Sequence, residues 1–325
     1  MNFEGRKILV TGGAGFIGSN IVEELLAQGA AVRVLDNFAT GFRHNIEEFL
    51  ANPLFELIEG DICNFEDCLK AVEGIDAITH QAALGSVPRS IEFPELTHAT
   101  NATGFLNMLR AAKEKGIKRF VYASSSSVYG DSTVSPKTIG SEGNLLSPYA
   151  VTKHLNEEYA KVYARLHGLE TIGMRYFNVF GPKQNPNGVY AAAIPKFIDA
   201  MRKGGEIVIN GDGEQSRDFT YVKNAVKANL LALSTENQEA YGRVFNIACG
   251  DSYTLNYIIK EIKGGLSERG LYNARSVVKH GPDRPGDIRS SLADIELTKI
   301  VLEYQNLIKF HEGVNHLLSQ LIVHQ

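Results

Sequence analysis

The sequence predicts an α/β fold in which helices cover both faces of a mainly parallel sheet. Short apolar runs alternate with longer segments of helical periodicity through the first half of the chain. These runs are apolar without interruption, as is typical of strands buried on both faces. A glycine-rich turn follows the first run directly. Strands and helices that alternate in this way form a doubly wound sheet.

The first half of the chain contains five predicted strands. They are Lys7–Thr11, Ala31–Asp36, Phe55–Glu59, 76–80 and 119–124. A helix is predicted at 17–28, between the first two strands, and longer helices are predicted at 95–115 and 148–168. These two long segments carry apolar residues that we expect to be exposed in part. They are Phe105, Leu106, Leu155, Tyr159 and Val162.

The pattern changes after about residue 177. Gly, Pro and Asn cluster at 181–188, which predicts a loop, and a helix at 194–203 and the strand Glu206–Asn210 follow. A later strand at 244–248 could rejoin the main sheet. We therefore expect a larger domain at 1–177, which the chain re-enters near 211–248, and a smaller domain formed mainly by 178–325. A ligand would bind in the crevice between them.

Composition excludes several classes of partner. The chain has 325 residues, of which 44% are hydrophobic, and a formal net charge of -4. Without a basic excess, nucleic acid and anionic membrane surfaces are poor partners. The three cysteines, Cys63, Cys68 and Cys249, are scattered and belong to no zinc pattern. We expect buried structural thiols and no metal. Without a signal peptide or an apolar run that could span a membrane, a cytoplasmic protein is expected.

The glycine-rich turn predicts a dinucleotide site. Gly12, Gly15 and Gly18 form a G-x-x-G-x-x-G pattern between a strand and a helix, and Phe16 and Ile17 lie within it. Glycines allow a sharp turn and a close approach of the backbone to a pyrophosphate, and the helix N-terminus offers free N–H groups. The strand–turn–helix context makes the pattern specific.

Acidic residues after the next two strands predict the choice of cofactor. Asp36 ends the second strand, where a carboxylate can bind the adenosine ribose and repel a 2′-phosphate. With Asn37 beside it, this favours NAD over NADP. Asp61 and Ile62 follow the third strand and could reach the adenine. Asp61 could equally be the N-cap of the following helix.

A catalytic pair is predicted at the start of the helix 148–168. Tyr149 and Lys153 are spaced i and i+4, so their side chains share one face of the helix. A free tyrosine has a pKa of about 10, and a neighbouring ammonium favours the phenolate that can act as a base. A run of serines lies upstream at 124–127.

Together these motifs resemble the extended short-chain dehydrogenases/reductases, and within them the nucleotide-sugar epimerases. The resemblance covers about residues 5–300 and includes TGGAGFIGSN, LDNFATG, GDI, HQAA, SSSSVYGD, SPYAVTK, RYFNVFGP and RPGD. It implies a Rossmann-type fold with a smaller C-terminal substrate domain. The segments HQAALGSVPRS and NPNGVYAAAIPK are most similar to UDP-N-acetylglucosamine 4-epimerases of bacterial surface-polysaccharide pathways.

The resemblance also implies roles for individual residues. Ser125 would be catalytic with Tyr149 and Lys153. The residues expected to line NAD are Gln81, Ala82, Ala83, Asn101, Tyr176 and Phe177. The residues expected around the UDP part are Asn178, Ala192, Arg217, Arg284 and Asp287, to which the strand Glu206–Asn210 adds Val208 and Asn210. Guanidinium groups such as those of Arg217 and Arg284 clamp diphosphates well, although either could form a surface ion pair instead.

The serine run favours epimerisation over related reactions. Nucleotide-sugar dehydratases and UDP-glucuronate decarboxylases carry acidic residues before the V-Y-G motif, whereas this chain has Ser126 and Ser127. An epimerase needs only a base, a hydride acceptor and room for the sugar to turn. A net oxidoreductase on a sugar nucleotide stays an alternative. A non-catalytic dinucleotide sensor is disfavoured, since it would not need Ser125, Tyr149 and Lys153.

One position bears on the identity of the sugar. The resemblance places Ser291 where epimerases restricted to UDP-glucose and UDP-galactose carry a tyrosine, and a serine leaves room for an N-acetyl group. Ser86 and Ser126 could offer hydroxyls to the acetamide. We expect interconversion of UDP-GlcNAc and UDP-GalNAc, with weaker activity on UDP-Glc and UDP-Gal. UDP-N-acetylhexosaminuronic acids stay open as substrates, and the resemblance implies a homodimer with a four-helix interface.

Overall fold

A seven-stranded parallel sheet forms the centre of the computed structural model, which describes residues 2–187, 192–282 and 289–323. Its strands are β1 (Lys7–Thr11), β2 (Ala31–Asp36), β3 (Phe55–Glu59), β4 (Ala77–His80), β5 (Arg119–Ser125), β6 (Glu170–Tyr176) and β11 (Arg243–Ile247). Their order is β11-β6-β5-β4-β1-β2-β3. The chain builds outward from β1 on one side and then from β4 on the other. Ligands bind at the carboxyl ends of strands where the order reverses in this way.

Helices cover both faces of this sheet, so the predicted fold class is confirmed. Those of the first half are α1 (Phe16–Ala27), α2 (Phe65–Ala71), α3 (Val87–Glu92), α4 (Pro94–His98), α5 (Gly104–Glu114) and α6 (Pro148–His167). Those of the second half are α7 (Ala193–Lys203), α8 (Val222–Ser234), α9 (Leu255–Glu268), α10 (Glu296–Leu302) and α11 (Phe310–Val323). Helices α1 and α8 pack together, and α5 packs between α2 and α6.

The predicted helix 95–115 is interrupted. Residues Ala99–Thr103 form a π-helical turn between α4 and α5. Asn101 lies in this turn, and its amide bonds both to the backbone of Leu84 and to the Thr152 hydroxyl. The expectation that Phe105 is exposed is wrong. Its ring is fully buried against His80, Phe120 and Tyr122, because this face of the helix covers the sheet.

The second half of the chain adds three small sheets. They contain β7 (Val179–Phe180) with β10 (Thr220–Tyr221), β9 (Ser216–Asp218) with β12 (Ser252–Thr254) and β14 (Ser290–Ser291), and β8 (Glu206–Asn210) with β13 (Val277–Gly281). The predicted late strand does rejoin the main sheet, as β11 beside β6. The sequence patterns did not predict β6 and β13, nor the short strands β7, β9, β10, β12 and β14.

The helices and the cysteines bear on two further expectations from the sequence. No helix in the described part of the chain is long and apolar enough to cross a membrane. All three cysteines are free thiols, and Cys68 and Cys249 are buried as expected. Cys63 is exposed, so the expectation of burial is wrong for that thiol, which lies in the surface loop before α2.

Candidate active site

The glycine-rich turn between β1 and α1 has the geometry of a pyrophosphate cradle. Gly12 has φ +68°, and a Cβ there would lie 2.7 Å from the backbone nitrogen of Ala82. A Cβ at Gly18 would lie 2.1 Å from the carbonyl oxygen of Gly12. Gly15 is the N-cap of α1 and supplies no side-chain cap, so no side chain caps the N–H groups of the first turn, which carries Phe16 and Ile17. This arrangement fits an anionic phosphate.

Asp36 reinforces the cradle from the end of β2. Its carboxylate accepts hydrogen bonds from the backbone nitrogens of Ala14 at 2.9 Å and Phe38 at 2.8 Å. Burial raises the pKa of Asp36, and these two hydrogen bonds lower it. The carboxylate therefore lies beside the glycine-rich turn, and each oxygen keeps a lone pair for a ribose hydroxyl.

The structure decides one alternative at the end of β3. Asn64, rather than Asp61, is the N-cap of α2, because its side chain accepts the Glu66 N–H. The Asp61 carboxylate accepts instead from the Cys63 backbone at 2.8 Å and from the Asn37 side chain at 2.9 Å. Asp61 and Asn37 are thus joined beside Asp36, where the sequence predicts the adenosine. The neighbouring Ile62 side chain is buried in the core.

Gln81 and Tyr176 meet in a partly buried polar cluster that sequence reasoning missed. The Tyr176 hydroxyl donates to the Gln81 side chain at 3.1 Å and accepts from Asn229 of α8 at 2.7 Å. The Gln81 amide in turn donates to Asn229 at 3.0 Å. Burial raises the pKa of Tyr176, so its hydroxyl stays protonated. The cluster fixes the loop after β4 against the end of β6.

The same loop carries Ala82 and Ala83, and it is held from two sides. The Ala82 N–H donates to the Thr11 hydroxyl at 3.3 Å, and Asn101 bonds to Leu84 at 2.8 Å. This places the loop between the glycine-rich turn and α6. Phe177 differs from these residues, because its side chain is fully buried in a cluster with Tyr129 and Ala248.

Local sequence explains how Tyr149 and Lys153 are positioned. The Ser147 side chain caps α6 by accepting the Ala150 N–H, and Pro148 occupies the first turn, as is typical of helix starts. Lys153 donates from Nζ to the carbonyl oxygen of Ala123 at 2.8 Å, and its Nζ lies 6.0 Å from the centre of the Tyr149 ring.

Ser125 completes the group at the end of β5. Its hydroxyl oxygen accepts the backbone N–H of Ser127 at 3.1 Å. Burial raises the pKa of Tyr149, and a hydrogen bond with Ser125 lowers it. Burial also lowers the pKa of Lys153 to about 8, against the opposing attraction of Glu157. The structure therefore brings the three predicted catalytic residues together at the carboxyl edge of the sheet.

Two predicted substrate residues lie opposite each other on the small sheet of β9, β12 and β14. Arg217 of β9 pairs with Ser291 of β14 in parallel register. Asp218, next along β9, is fully buried and accepts N–H bonds from Cys249, Gly250 and Ala293. Asp218 thus ties β9 to the loop after β11 and to the segment after β14.

The remaining predicted substrate residues lie on several elements. Ser86 is the N-cap of α3 and accepts the Arg89 N–H. Ala192 is the N-cap of α7, and Val208 and Asn210 are exposed on β8. The other predicted positions are Asn178, whose amide donates to the Asp218 carbonyl at 3.0 Å, and Ser126, which follows Ser125. Arg284 and Asp287 lie outside the described residues.

Sequence reasoning also missed a buried ion cluster behind the predicted catalytic residues. Glu157 of α6 binds Arg175 of β6 through two hydrogen bonds, and Arg175 also contacts Glu142. The signals were present: Glu157 follows Lys153 by one helical turn, and Arg175 is a charge inside an apolar strand.

The chain is similar to known proteins in both sequence and structure. The NAD dependent epimerase/dehydratase family matches residues 8–248. A protein of Methanocaldococcus jannaschii, provisionally named a UDP-glucose 4-epimerase, is 39% identical over 321 residues, 96% of this chain and 97% of its own length.

Two solved structures are also similar. One is a UDP-N-acetylglucosamine 4-epimerase from Methanobrevibacter ruminantium M1 in complex with UDP-N-acetylmuramic acid, with a TM-score of 0.89, 36% identity and 100% coverage of both chains. The other is a UDP-glucose 4-epimerase from Thermotoga maritima with UDP-glucose, with a TM-score of 0.88, 33% identity and coverage of 98% and 99%. The chain belongs to the NAD-dependent epimerase/dehydratase family.

Proposed function

We propose that the protein is a UDP-sugar 4-epimerase that interconverts UDP-GlcNAc and UDP-GalNAc and acts more weakly on UDP-Glc and UDP-Gal. The observation that carries this proposal is the grouping of Ser125, Tyr149 and Lys153 beside the NAD cradle. The named activities of the M. jannaschii, M. ruminantium and T. maritima relatives support C4 epimerisation. The N-acetyl preference rests on the M. ruminantium relative and on Ser291.

In this reaction Tyr149 acts as the base. Its phenolate takes the proton from the sugar O4, and Ser125 hydrogen-bonds the same oxygen and holds it near the phenol. NAD, when bound, would supply the reversible hydride acceptor that inversion at C4 requires, and the 4-keto sugar would turn in the pocket between its oxidation and its reduction. Lys153 favours the phenolate by its charge. Because no acidic residue stands at 126 or 127, no side chain there would expel water from the sugar.

We assign the UDP part to the smaller, mainly C-terminal part of the chain. Arg217 supplies a guanidinium for the diphosphate, and Asn178 and Ala192 lie at the entrances to β7 and α7. Arg284 and Asp287 would complete this site. The sugar then extends from the diphosphate toward Tyr149, past Ser291. Residues 1–177, with the return near 211–248, would then form the NAD-binding domain.

The cellular setting is also part of the proposal. Three free thiols and the absence of a disulfide among the described residues fit a reducing compartment, which favours the cytoplasm. There the product would supply the synthesis of a polysaccharide.

The experiment that tests this function identifies the preferred substrate and its product, and it shows whether NAD is consumed. The purified protein is incubated with UDP-GlcNAc, UDP-Glc and UDP-N-acetylglucosaminuronic acid, each with NAD, and the products are resolved by chromatography. We expect UDP-GalNAc to form fastest and no NADH to accumulate. Faster turnover of UDP-N-acetylglucosaminuronic acid would show that the uronic acid is the preferred substrate. Stoichiometric release of NADH would show that the enzyme is a net oxidoreductase and not an epimerase.

A further inference from the structure

Four charged side chains form a buried cluster behind the catalytic tyrosine. Lys153 and Glu157 lie one turn apart on α6, with 2% and 0% of their surfaces exposed. Arg175 of β6 is 3% exposed and lies against Glu157. Glu142, which is half-buried in the loop before α6, contacts Arg175 from the other side. A buried charge is costly unless it is paired, so this cluster requires an explanation.

Glu157 is held rigidly by its neighbours. Its Oε1 accepts from the Ser124 hydroxyl at 2.5 Å and from Arg175 Nε at 2.9 Å, and its Oε2 accepts from Arg175 Nη2 at 2.7 Å. Ser124 and Arg175 lie opposite each other on the neighbouring strands β5 and β6, so both hydrogen-bond donors lie at the same level of the sheet. Bidentate binding by a guanidinium fixes the orientation of a carboxylate.

Lys153 has a different set of neighbours. Its ammonium donates to the carbonyl oxygen of Ala123, which is neutral. His80 of β4 also faces it, but burial and then the charge of Lys153 lower the pKa of His80 to about 3, so the imidazole is neutral. Tyr149 precedes it by one turn of α6. Among the described groups that act on Lys153, Glu157 is therefore the negative charge.

The charges of the cluster balance only when Lys153 is protonated. Lys153 and Arg175 then oppose Glu157 and Glu142. Loss of the Lys153 proton would leave a net negative charge in a buried region, which is unfavourable. Burial pulls the pKa of Lys153 down, and the attraction of Glu157 pushes it up. The charge of Glu157 thus offsets part of the decrease that burial causes in the pKa of Lys153.

We infer that Glu157 is a positioning residue that keeps Lys153 protonated, and that Ser124 and Arg175 orient Glu157 for this purpose. Glu157 acts on the reaction through Lys153, because the ammonium stabilises the Tyr149 phenolate. Removal of the Glu157 charge should narrow the pH range of activity from its alkaline side. Lys153 would lose its proton at a lower pH, and above that pH the Tyr149 phenolate would lack the charge that stabilises it. The inference rests on the proposed role of Tyr149 as the base.

The test compares pH profiles of kcat/KM with saturating NAD, using the UDP-sugar that the wild-type enzyme converts fastest. Glu157→Gln keeps the shape of the side chain and removes its charge. We expect the alkaline limb of its profile to move down by roughly one pH unit or more. A merely structural role would lower the rate at every pH and leave the limb in place, and that result would overturn the inference.

Glu142→Gln is the matched control. It removes a carboxylate from the same guanidinium of Arg175 at the outer edge of the cluster, and Glu142 is not among the groups that shift Lys153. Its alkaline limb should move much less than that of Glu157→Gln. An equal shift in both variants would show that the net charge of the cluster matters and that Glu157 has no special role.

A second variant covers the case in which Glu157→Gln does not fold. Glu157→Asp keeps the charge and draws it back by one methylene, so its alkaline limb should also fall, by less. An unchanged limb in a folded Glu157→Asp enzyme would overturn the inference. The proposed function is tested separately by Tyr149→Phe. If that variant is inactive while Glu157→Gln keeps a wild-type profile, only the role of Glu157 fails.

Discussion

Ser291 pairs with Arg217 where β14 meets β9 in parallel register. Residues paired across neighbouring strands lie close enough for their side chains to interact. A residue proposed to hold the diphosphate and a residue proposed to border the sugar are therefore neighbours. A change of volume at Ser291 should act at the sugar end of the site while the diphosphate contacts remain.

The first prediction is that Ser291→Tyr discriminates between the two sugars. Ser291 is 9% exposed, so under the proposed function a tyrosine there would occupy space that the N-acetyl group otherwise uses. Steric exclusion of this kind is a repulsive effect and discriminates strongly. We expect kcat/KM for UDP-GlcNAc to fall at least roughly tenfold more than that for UDP-Glc. Chromatographic assays of both substrates measure the ratio.

Ser290→Tyr is the control for this prediction. Ser290 is exposed, and its hydroxyl bonds to that of Ser216 at 3.0 Å. A tyrosine at Ser290 should leave the substrate ratio near its wild-type value. Equal losses on both substrates in the Ser291→Tyr enzyme would show that this position does not restrict the acetamide.

The second prediction concerns the base. Tyr149→Phe keeps the ring and removes the group that accepts the O4 proton. The rate should fall by roughly 100-fold or more, while binding of the UDP-sugar is retained. Calorimetric titration with UDP-GlcNAc and a turnover assay on the same preparation separate the two effects. A rate near the wild-type value would refute the role of Tyr149.

The sequence predicted the large sheet and the NAD cradle well, because both follow from local patterns. Continuous apolar runs identify doubly buried strands, and the bounds of β1, β2 and β3 agree with prediction. The G-x-x-G-x-x-G turn and the Tyr149–Lys153 spacing are also local. The strand β6 was missed because Arg175 and Gly173 interrupt its apolar run, although the strand is buried.

The parts of the site that depend on distant contacts could not be predicted from the sequence. Asn229 lies 148 residues from Gln81 in the chain, yet their side chains share a hydrogen bond. Asp218 follows Arg217 directly in the sequence, yet the fold surrounds its carboxylate with backbone N–H groups from two other segments. Asn101 in the π-helical turn likewise bonds to residues distant in the chain, Leu84 and Thr152.

The third prediction is a pH dependence of stability that originates at Asp218. Burial raises its pKa to about 7, although three backbone hydrogen bonds oppose the shift. The pKa of Asp218 is therefore higher in the folded chain than in the unfolded chain, and the folded chain holds the extra proton between these two values. The contribution of this group to stability is complete below about pH 4 and is lost as the pH rises to about 7.

Asp218→Asn tests this dependence because an amide does not titrate. Urea unfolding between pH 5 and 8 should show a smaller loss of unfolding free energy with rising pH in the variant than in the wild-type protein. The variant should also be less stable at low pH, since an amide nitrogen cannot accept the N–H bonds that one carboxyl oxygen now receives. Identical slopes in the two proteins would exclude Asp218 as the source.

The last prediction is a homodimer of twofold symmetry. Helices α4 and α6 pack together and carry exposed apolar side chains, among them Leu96 at 55% and Val151 at 49% exposure. A second copy could bury them in a four-helix interface. Light scattering at micromolar concentration should give twice the chain mass, and Leu96→Glu together with Val151→Glu should give the monomer. Ile300→Glu on α10, where the side chain is 74% exposed, is the control and should stay dimeric. A wild-type protein of monomer mass would contradict the prediction.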